Sequence, residues 1–151
     1  MCPENDDPTA ERYAIMLDEA GIAVSDILGW NAYPWYINRA PRAAELEAGV
    51  EPLRRLCDLL PELRVVMLHG GSARDGWARL ARRHPEVVAP FEVVPTYHTS
   101  NRAFIRPPEV RAARMSALRQ AFARTASVLR TSPHPGSPRS PSEGHVLRDG
   151  V

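Results

Sequence analysis

Apolar residues recur at helical spacing in four segments of the chain, which predicts four helical regions. The first follows a start signal at Asp7 and Pro8 and ends before Gly21. The other three lie at residues 43–60, about 73–83 and about 108–130. Within the second region, Pro52 is expected to interrupt the helix, because proline removes a backbone donor and clashes with the preceding turn.

Three short apolar runs between these helices predict strands. They are Asp26–Asn31, Leu63–Leu68 and Phe91–Val94. The second run is the clearest, and its nearly continuous apolar sequence predicts a strand at the centre of a sheet. Pro34 and Pro41 predict irregular structure between the first strand and the second helix.

Helices and strands alternate in this order, which predicts a three-layer α/β/α sandwich with a short parallel sheet. Sheets of this kind bind ligands beyond the carboxyl ends of their strands. The segments that follow the three strands are Asn31–Arg39, His69–Ser72 and Thr96–Arg106, and they are rich in polar and aromatic residues. We expect them to cluster at one edge of the sheet and to carry the functional site.

The chain has 151 residues, which is enough for one compact domain, and its composition is normal for one. No segment is apolar over the roughly 20 residues that a membrane span needs, and the acidic N-terminus is unlike a signal peptide. We therefore expect a cytoplasmic protein with no membrane partner. Residues 131–151 are rich in Pro, Ser and Gly, which predicts a disordered tail in which His134 and His145 have no catalytic role.

Cysteine content and charge narrow the chemistry. Cys2 and Cys57 are too few for a disulfide framework or a four-thiolate metal or iron–sulfur site, so we expect neither a metal nor a cofactor. All 19 basic residues are Arg. Residues 1–30 hold seven acids against one Arg, whereas residues 101–130 hold seven Arg against one Glu. The basic segment suits a polyanionic partner or a solvated helix face.

Two polar loops contain candidate site residues. The Asn31 amide offers an acceptor and a donor that match the O4 and N3–H edge of uracil or thymine, although an Asn in a packed turn is the alternative. His98 can donate a hydrogen bond to a leaving group that gains negative charge, or can be an ordinary exposed loop residue. Ser100 can hold phosphates, and Asn101 or Phe104 can wedge into a base stack.

A glycine pair in the turn His69–Ser72 follows the second strand. Two glycines at such a turn can let a phosphate approach the N-terminus of the next helix. They can equally serve only to make a tight turn. The sequence leaves both interpretations open.

These segments, in this order, resemble the uracil-DNA glycosylase superfamily, and within it the bacterial uracil/thymine (Mug-like) type. The segments that carry the resemblance are Glu4–Ala10, Trp30-Asn31 with Pro34-Trp35-Tyr36, Leu63–Gly71 with Ala73 and Trp77, and Tyr97–Ser100. The resemblance covers residues 4–130. It implies an enzyme of base excision repair that hydrolyses the N-glycosidic bond of uracil in DNA, acting on a base flipped out of the stack.

The same resemblance implies roles for individual residues. Asn31 is similar to the residue that reads the uracil edge, and His98 to the one that stabilises the departing uracil anion. Ser100 is similar to the serine that grips the DNA backbone. Asn101 and Arg102 follow it, where the family has its intercalating wedge, and are expected to bind DNA.

The resemblance also implies a first strand and a Gly-rich loop, which positions the attacking water, upstream of Glu4. Only three residues precede Glu4, so we expect a domain of residues 4–130 that lacks this strand and this first motif. Thr99 and Asn101 stand where the family commonly has Pro. A strand left without its neighbour predicts marginal solubility or self-association.

Three hypotheses about function follow. The first is an active DNA glycosylase, which the order of the motifs favours. The second is a catalytically inactive or truncated relative that binds DNA, which the expected lack of the first loop favours. The third is an unrelated α/β module that binds a small nucleotide at the same strand ends.

Overall fold

The computed structural model describes residues 8–131. Its helices are α1 (Pro8–Ala20), α2 (Ala43–Ala48), α3 (Val50–Leu59), α4 (Gly71–Arg83), α5 (Pro85–Val88), α6 (Asn101–Phe104) and α7 (Pro108–Thr131). Its strands are β1 (Val65–His69) and β2 (Glu92–Thr96), and Val24–Asp26 forms a turn of 3₁₀ helix. The four predicted helical regions are confirmed. The start signal at Asp7 and the tail after Thr131 lie outside the described residues.

The two strands form a parallel sheet, paired over their full length. The Gly70 N–H donates to the Thr96 carbonyl at 2.9 Å. Because successive strand residues direct their backbone groups to opposite sides, the N–H groups of Val65, Met67 and His69 point away from β2. No other described segment pairs with that side, so β1 has an open edge.

Helices cover both faces of the sheet, as the predicted three-layer α/β/α sandwich requires. On one face, Met67 packs into a cluster formed by α1 and α7 around the buried Phe122. On the other face, Leu68 packs with the buried Trp77 of α4 and with residues of α3. Alternate residues of β1 thus belong to different cores. Within residues 8–131, no helix has both the length and the apolar character that a membrane crossing needs.

The predicted strand at Asp26–Asn31 is wrong. Asp26 ends the 3₁₀ turn, and the following residues have no regular structure. Leu28 and Trp30 are exposed, with 59% and 44% of their surface accessible. A strand forms only beside a neighbour that exchanges backbone hydrogen bonds with it. Here a cavity lies between this segment and the open edge of β1.

The predicted central position of the second strand is also wrong. The strand exists as β1, but it has one partner and one open edge in the described sheet. Its apolar sequence reflects the helices packed on its two faces, because both faces bury side chains whether or not a second strand lies alongside. Sequence alone does not separate these two causes.

Prolines are placed where their missing N–H causes no loss. Pro52 does not interrupt a helix but lies in the first turn of α3, where backbone N–H groups have no partner within the helix. The break falls instead at Gly49, where an added Cβ atom would clash with the Ala32 carbonyl oxygen. Pro95 lies inside β2, which was predicted to end before it. Its ring nitrogen faces away from β1, so no bond of the ladder is lost.

Candidate functional site

A cavity of about 850 Å³ lies along the open edge of β1 and beyond its carboxyl end. Its apolar wall comes from β1 and from α3, including Leu53 and Leu56. Its polar rim comes from residues 26–41, from the turn after β1, and from the loop after β2. The three segments that were expected to cluster at one edge of the sheet therefore do meet there.

His98 lines the cavity with an exposed side chain whose ring orientation is fixed by the backbone. The Ser100 N–H donates to its Nδ1 at 3.0 Å. A ring nitrogen that accepts a hydrogen bond carries no proton, so in the neutral ring the proton lies on Nε2. Partial desolvation lowers the pKa of His98 below its ordinary value. The ring is therefore neutral at pH 7 and has an Nε2–H available for a ligand.

A second histidine, His69, ends β1 close to His98. Its ring lies edge-on to Tyr13 and Phe122, with centroid distances of 5.7 and 5.9 Å. Its Nδ1 is 3.4 Å from the Tyr97 carbonyl oxygen, and its Nε2 is buried without a hydrogen-bond partner among the described residues. Desolvation, with a smaller contribution from His98, lowers the pKa of His69 to about 4. The sequence placed His69 only in a turn, and the pairing of β1 with β2 brings it beside the loop of His98.

The two glycines after β1 have different roles. Gly70 has φ +87°, a conformation that L side chains rarely adopt, and a Cβ atom there would lie 3.4 Å from the His98 Cβ. Gly71 begins α4, and a Cβ atom there would have no neighbour within 4 Å. The tight-turn interpretation therefore holds for Gly70, which lets the chain turn directly beneath His98.

Asn31 is exposed at the cavity, and its amide makes no hydrogen bond within residues 8–131. The next residue, Ala32, anchors this part of the loop. A Cβ atom added at Gly76 of α4 would lie 3.3 Å from the Ala32 Cβ. The Ala32 carbonyl oxygen lies against Gly49, between α2 and α3. Two glycines without side chains thus allow the loop to approach the helices closely and set the position of Asn31.

Residues 30–36, which we name the aromatic loop, display several large rings at the cavity rim. Trp35 and Tyr36 have 53% and 89% of their surface exposed. The ring of Tyr33 lies 5.0 Å from that of Trp35.

Further along, Arg39 donates to the Glu45 carboxylate at 2.7 Å, and this contact helps to lower the pKa of Glu45 to about 2. The ion pair fastens the end of the segment to α2.

The loop after β2 is held by Arg12 of α1. The Arg12 guanidinium donates to the Thr99 carbonyl oxygen and, at 2.9 Å, to Asn101 Oδ1. It also lies 4.7 Å from the centre of the Phe104 ring. Phe104 is only 6% exposed, so its suggested role as a base-stack wedge is wrong. Its neighbour Ile105 is 72% exposed, an apolar position that the sequence reasoning missed.

The basic segment does not act as a single charged block. Arg119 and Arg124 of α7 form ion pairs with glutamates of α1 and β2. Arg102 is exposed at the cavity rim and has no ion pair or hydrogen bond within the described chain, and Ser100 lies beside it, partly buried. The net positive charge available at the cavity is therefore concentrated near Arg102.

Acids and metal ligands are sparse around the cavity. The carboxylates that line it, among residues 8–131, are Asp26 and Glu62. Asp26 precedes the loop that carries Asn31, and Glu62 precedes β1, whereas His98 follows β2. No group of three or more potential metal-binding side chains lies together in the described part of the chain.

The fold and the site define an α/β protein whose cavity beyond the strand ends offers an amide, a neutral histidine and a free arginine to a ligand. The chain matches the family model of the Uracil DNA glycosylase superfamily over residues 12–119. It belongs to that superfamily. Comparison with the curated proteins and with the solved structures gave no match.

Family membership confirms the resemblance inferred from the motifs, and it supports a uracil-DNA glycosylase-like function with DNA as the partner. The matched range contains Asn31, His98 and Ser100–Arg102, the residues that the sequence singled out. Their individual roles, the Mug-like type and the expected lack of a first motif stay predictions.

Proposed function

We propose that the protein hydrolyses the N-glycosidic bond of uracil in DNA. The observation that carries the proposal is the state of His98. Its Nδ1 accepts the Ser100 N–H at 3.0 Å, and its pKa is lowered, so a neutral ring presents Nε2–H at the cavity that Asn31 also lines. A fixed neutral donor suits a leaving group that becomes an anion in the transition state.

Asn31 has the chemistry to select the base. Its Nδ2 can donate to uracil O4, and its Oδ1 can accept the uracil N3–H. Cytosine presents a donor at position 4 and an acceptor at N3. In the same amide orientation, Nδ2 would therefore face another donor and Oδ1 would face another acceptor, so neither hydrogen bond would form. The amide has no internal partner among the described residues, which leaves both of its groups for the base.

His98 then acts on the departing base. As the C1′–N1 bond breaks, its electron pair leaves with uracil, and negative charge builds up on O2. The Nε2–H of His98 donates to that oxygen. A water molecule forms the new bond to C1′ and releases a proton to solvent. Removing a single preorganised donor of this kind lowers a rate by roughly 10²–10³-fold.

The loop after β2 supplies contacts to the DNA backbone. The Ser100 hydroxyl and the Arg102 guanidinium are suited to phosphate oxygens. The Asn101 amide oxygen is already bound by Arg12, so its Nδ2 donors are the groups left for DNA. These contacts hold a flipped uracil nucleotide in register with His98. We further propose that the protein acts in the cytoplasm.

The test is release of uracil from a uracil-containing oligonucleotide under single-turnover conditions. We expect release by the wild type, a loss of about 10²-fold or more for His98→Ala, and loss of discrimination against cytosine for Asn31→Ala. His84→Ala is the matched control, because His84 lies between α4 and α5 and outside the cavity lining. Equal rates for His98→Ala and His84→Ala would contradict the proposed mechanism.

One observation favours a second candidate, a catalytically inactive relative that binds DNA. Among residues 8–131 the cavity is lined by two carboxylates, Asp26 and Glu62. Glu62 precedes β1, at the end of the sheet opposite His98, so the described lining supplies few acids to orient water. This candidate predicts no uracil release by the wild type but binding to DNA whose affinity falls steeply as salt rises.

A further inference from the structure

The aromatic loop presents more ring surface than the recognition of one base requires. Trp30, Trp35 and Tyr36 are 44%, 53% and 89% exposed, and all three line the rim of the cavity. Large apolar side chains at a surface mark a binding site when they form one contiguous group. The chain is fastened at Ala32 and at Arg39, so Trp35 and Tyr36 are displayed from a segment with two fixed ends.

The size of the cavity points to a ligand larger than one base. Its volume of about 850 Å³ is near the upper end of the range for drug-sized ligands, which is roughly 300–1,000 Å³. A single pyrimidine ring fills only a small part of such a space. The part along β1 is walled by apolar side chains of β1 and α3, so adjoining nucleotides can be accommodated at the polar rim, next to the aromatic loop.

Charge at the rim has the sign that a nucleic-acid strand needs. Arg102 is exposed there without a partner in the described chain, and Ser100 lies next to it. Arg39, which also lies on this rim, is neutralised by its ion pair with Glu45. The arrangement is one of aromatic rings on one side and a cationic group on the other. Proteins that bind single strands combine the same two elements, since bases stack on the rings while the backbone follows the charge.

We propose that the aromatic loop stacks unpaired bases next to the target nucleotide, so that the protein binds single-stranded DNA in preference to duplex. This inference rests on the proposed function, because it names the substrate of the same site. In a duplex the faces of the bases are already stacked on their neighbours, and Trp35 and Tyr36 reach them only after unpairing. In a single strand every base offers a free face.

The first measurement is binding of a labelled, uracil-free oligonucleotide, single-stranded and as the matching duplex, followed by fluorescence anisotropy. We expect the wild type to bind the single strand about 10-fold more tightly than the duplex. Trp35→Ala and Tyr36→Ala should each weaken single-strand binding by about 10-fold and leave duplex binding unchanged. Trp35→Phe should keep most of the affinity, because phenylalanine still provides a ring.

Two controls separate stacking from other causes. Leu59→Ala removes an apolar side chain that is 75% exposed on α3 but outside the cavity lining, and it should leave binding unchanged. Trp35→Ala should leave the salt dependence of binding unchanged, whereas Arg102→Ala should reduce the slope by about one unit, as expected for one lost phosphate contact.

Duplex binding as tight as single-strand binding, or unchanged affinity in Trp35→Ala, would overturn the inference. So would a Trp35→Ala variant that changes only the sedimentation of the protein, since the loop would then be a protein interface. Uracil release is measured in parallel. If the rings are needed for single-strand binding but no uracil is released, the inference is supported and the proposed catalysis is refuted. If uracil is released faster from duplex and Trp35→Ala has no effect, catalysis is supported and the inference is refuted.

Discussion

The ring of His69 is packed edge-on between Tyr13 and Phe122, with its Nε2 buried and without a partner among the described residues. This environment favours the neutral ring, because a charged imidazolium would lose its hydration without gaining an opposing carboxylate. The pKa of His69 is accordingly about 4, against an ordinary value near 6.5. A histidine whose folded pKa lies below its unfolded pKa contributes stability above the unfolded value, and that contribution disappears as pH falls through the folded value.

We therefore expect the free energy of unfolding to fall by about 2 kcal/mol between pH 7.5 and pH 5.0 on account of His69. His69→Phe keeps a ring against Tyr13 and Phe122 and removes the titrating group, so most of this pH dependence should disappear. Urea unfolding of both proteins at the two pH values measures the difference. Parallel pH profiles for wild type and variant would show that His69 is not the source.

At the residue scale, the sequence predicted the candidate side chains better than their surroundings. Asn31 and His98 were identified from the functional groups they carry and from their place after apolar runs, and both line the cavity. His69 was missed because its burial depends on Tyr13 of α1 and Phe122 of α7, which lie 56 and 53 positions away. Phe104 was misjudged for the same reason, since the cluster that buries it is formed by distant helices.

At the scale of elements, the turn between β1 and α4 determines where His98 sits. Gly70 has φ +87° and lies against the His98 Cβ, while Gly71 has open space around it. We expect Gly70→Ala to destabilise the fold by about 1–3 kcal/mol through backbone strain, because Gly70 combines φ +87° with ψ −173°, and to lower uracil release by moving His98. Gly71→Ala is the matched control and should leave both quantities nearly unchanged. Thermal unfolding and single-turnover release measure them, and equal effects of the two substitutions would contradict this account.

Helices were predictable because their spacing, start signals and stop signals are local. The helix that ends before Gly21 (φ +66°) and the long helix α7 were both expected within a residue or two. Strands were less predictable, since a strand depends on a neighbour that is distant in sequence. Segment 26–31 has the composition of a strand and no partner, and Leu63–Leu68 was expected at the centre of a sheet whose described part ends there.

At the scale of the whole molecule, the open edge of β1 favours contact between copies. Unpaired strand edges are templates for pairing with another chain. We expect concentration-dependent self-association, measurable by sedimentation velocity. Val65→Lys, which places a charge at the start of the open edge, should reduce it, and Ile15→Lys on the outer face of α1 is the control. A monodisperse wild type across the concentration range would contradict this expectation.

The open edge has a further consequence, which concerns solvent exchange along one strand. The amides of Val66 and Leu68 face β2 and are held in the ladder, whereas those of Val65 and Met67 face the cavity. In D₂O, deuterium should therefore replace hydrogen quickly at 65 and 67 and slowly at 66 and 68. Strands paired on both sides protect every amide alike. This every-other-residue pattern, read by NMR, would report directly whether anything has come to lie beside β1.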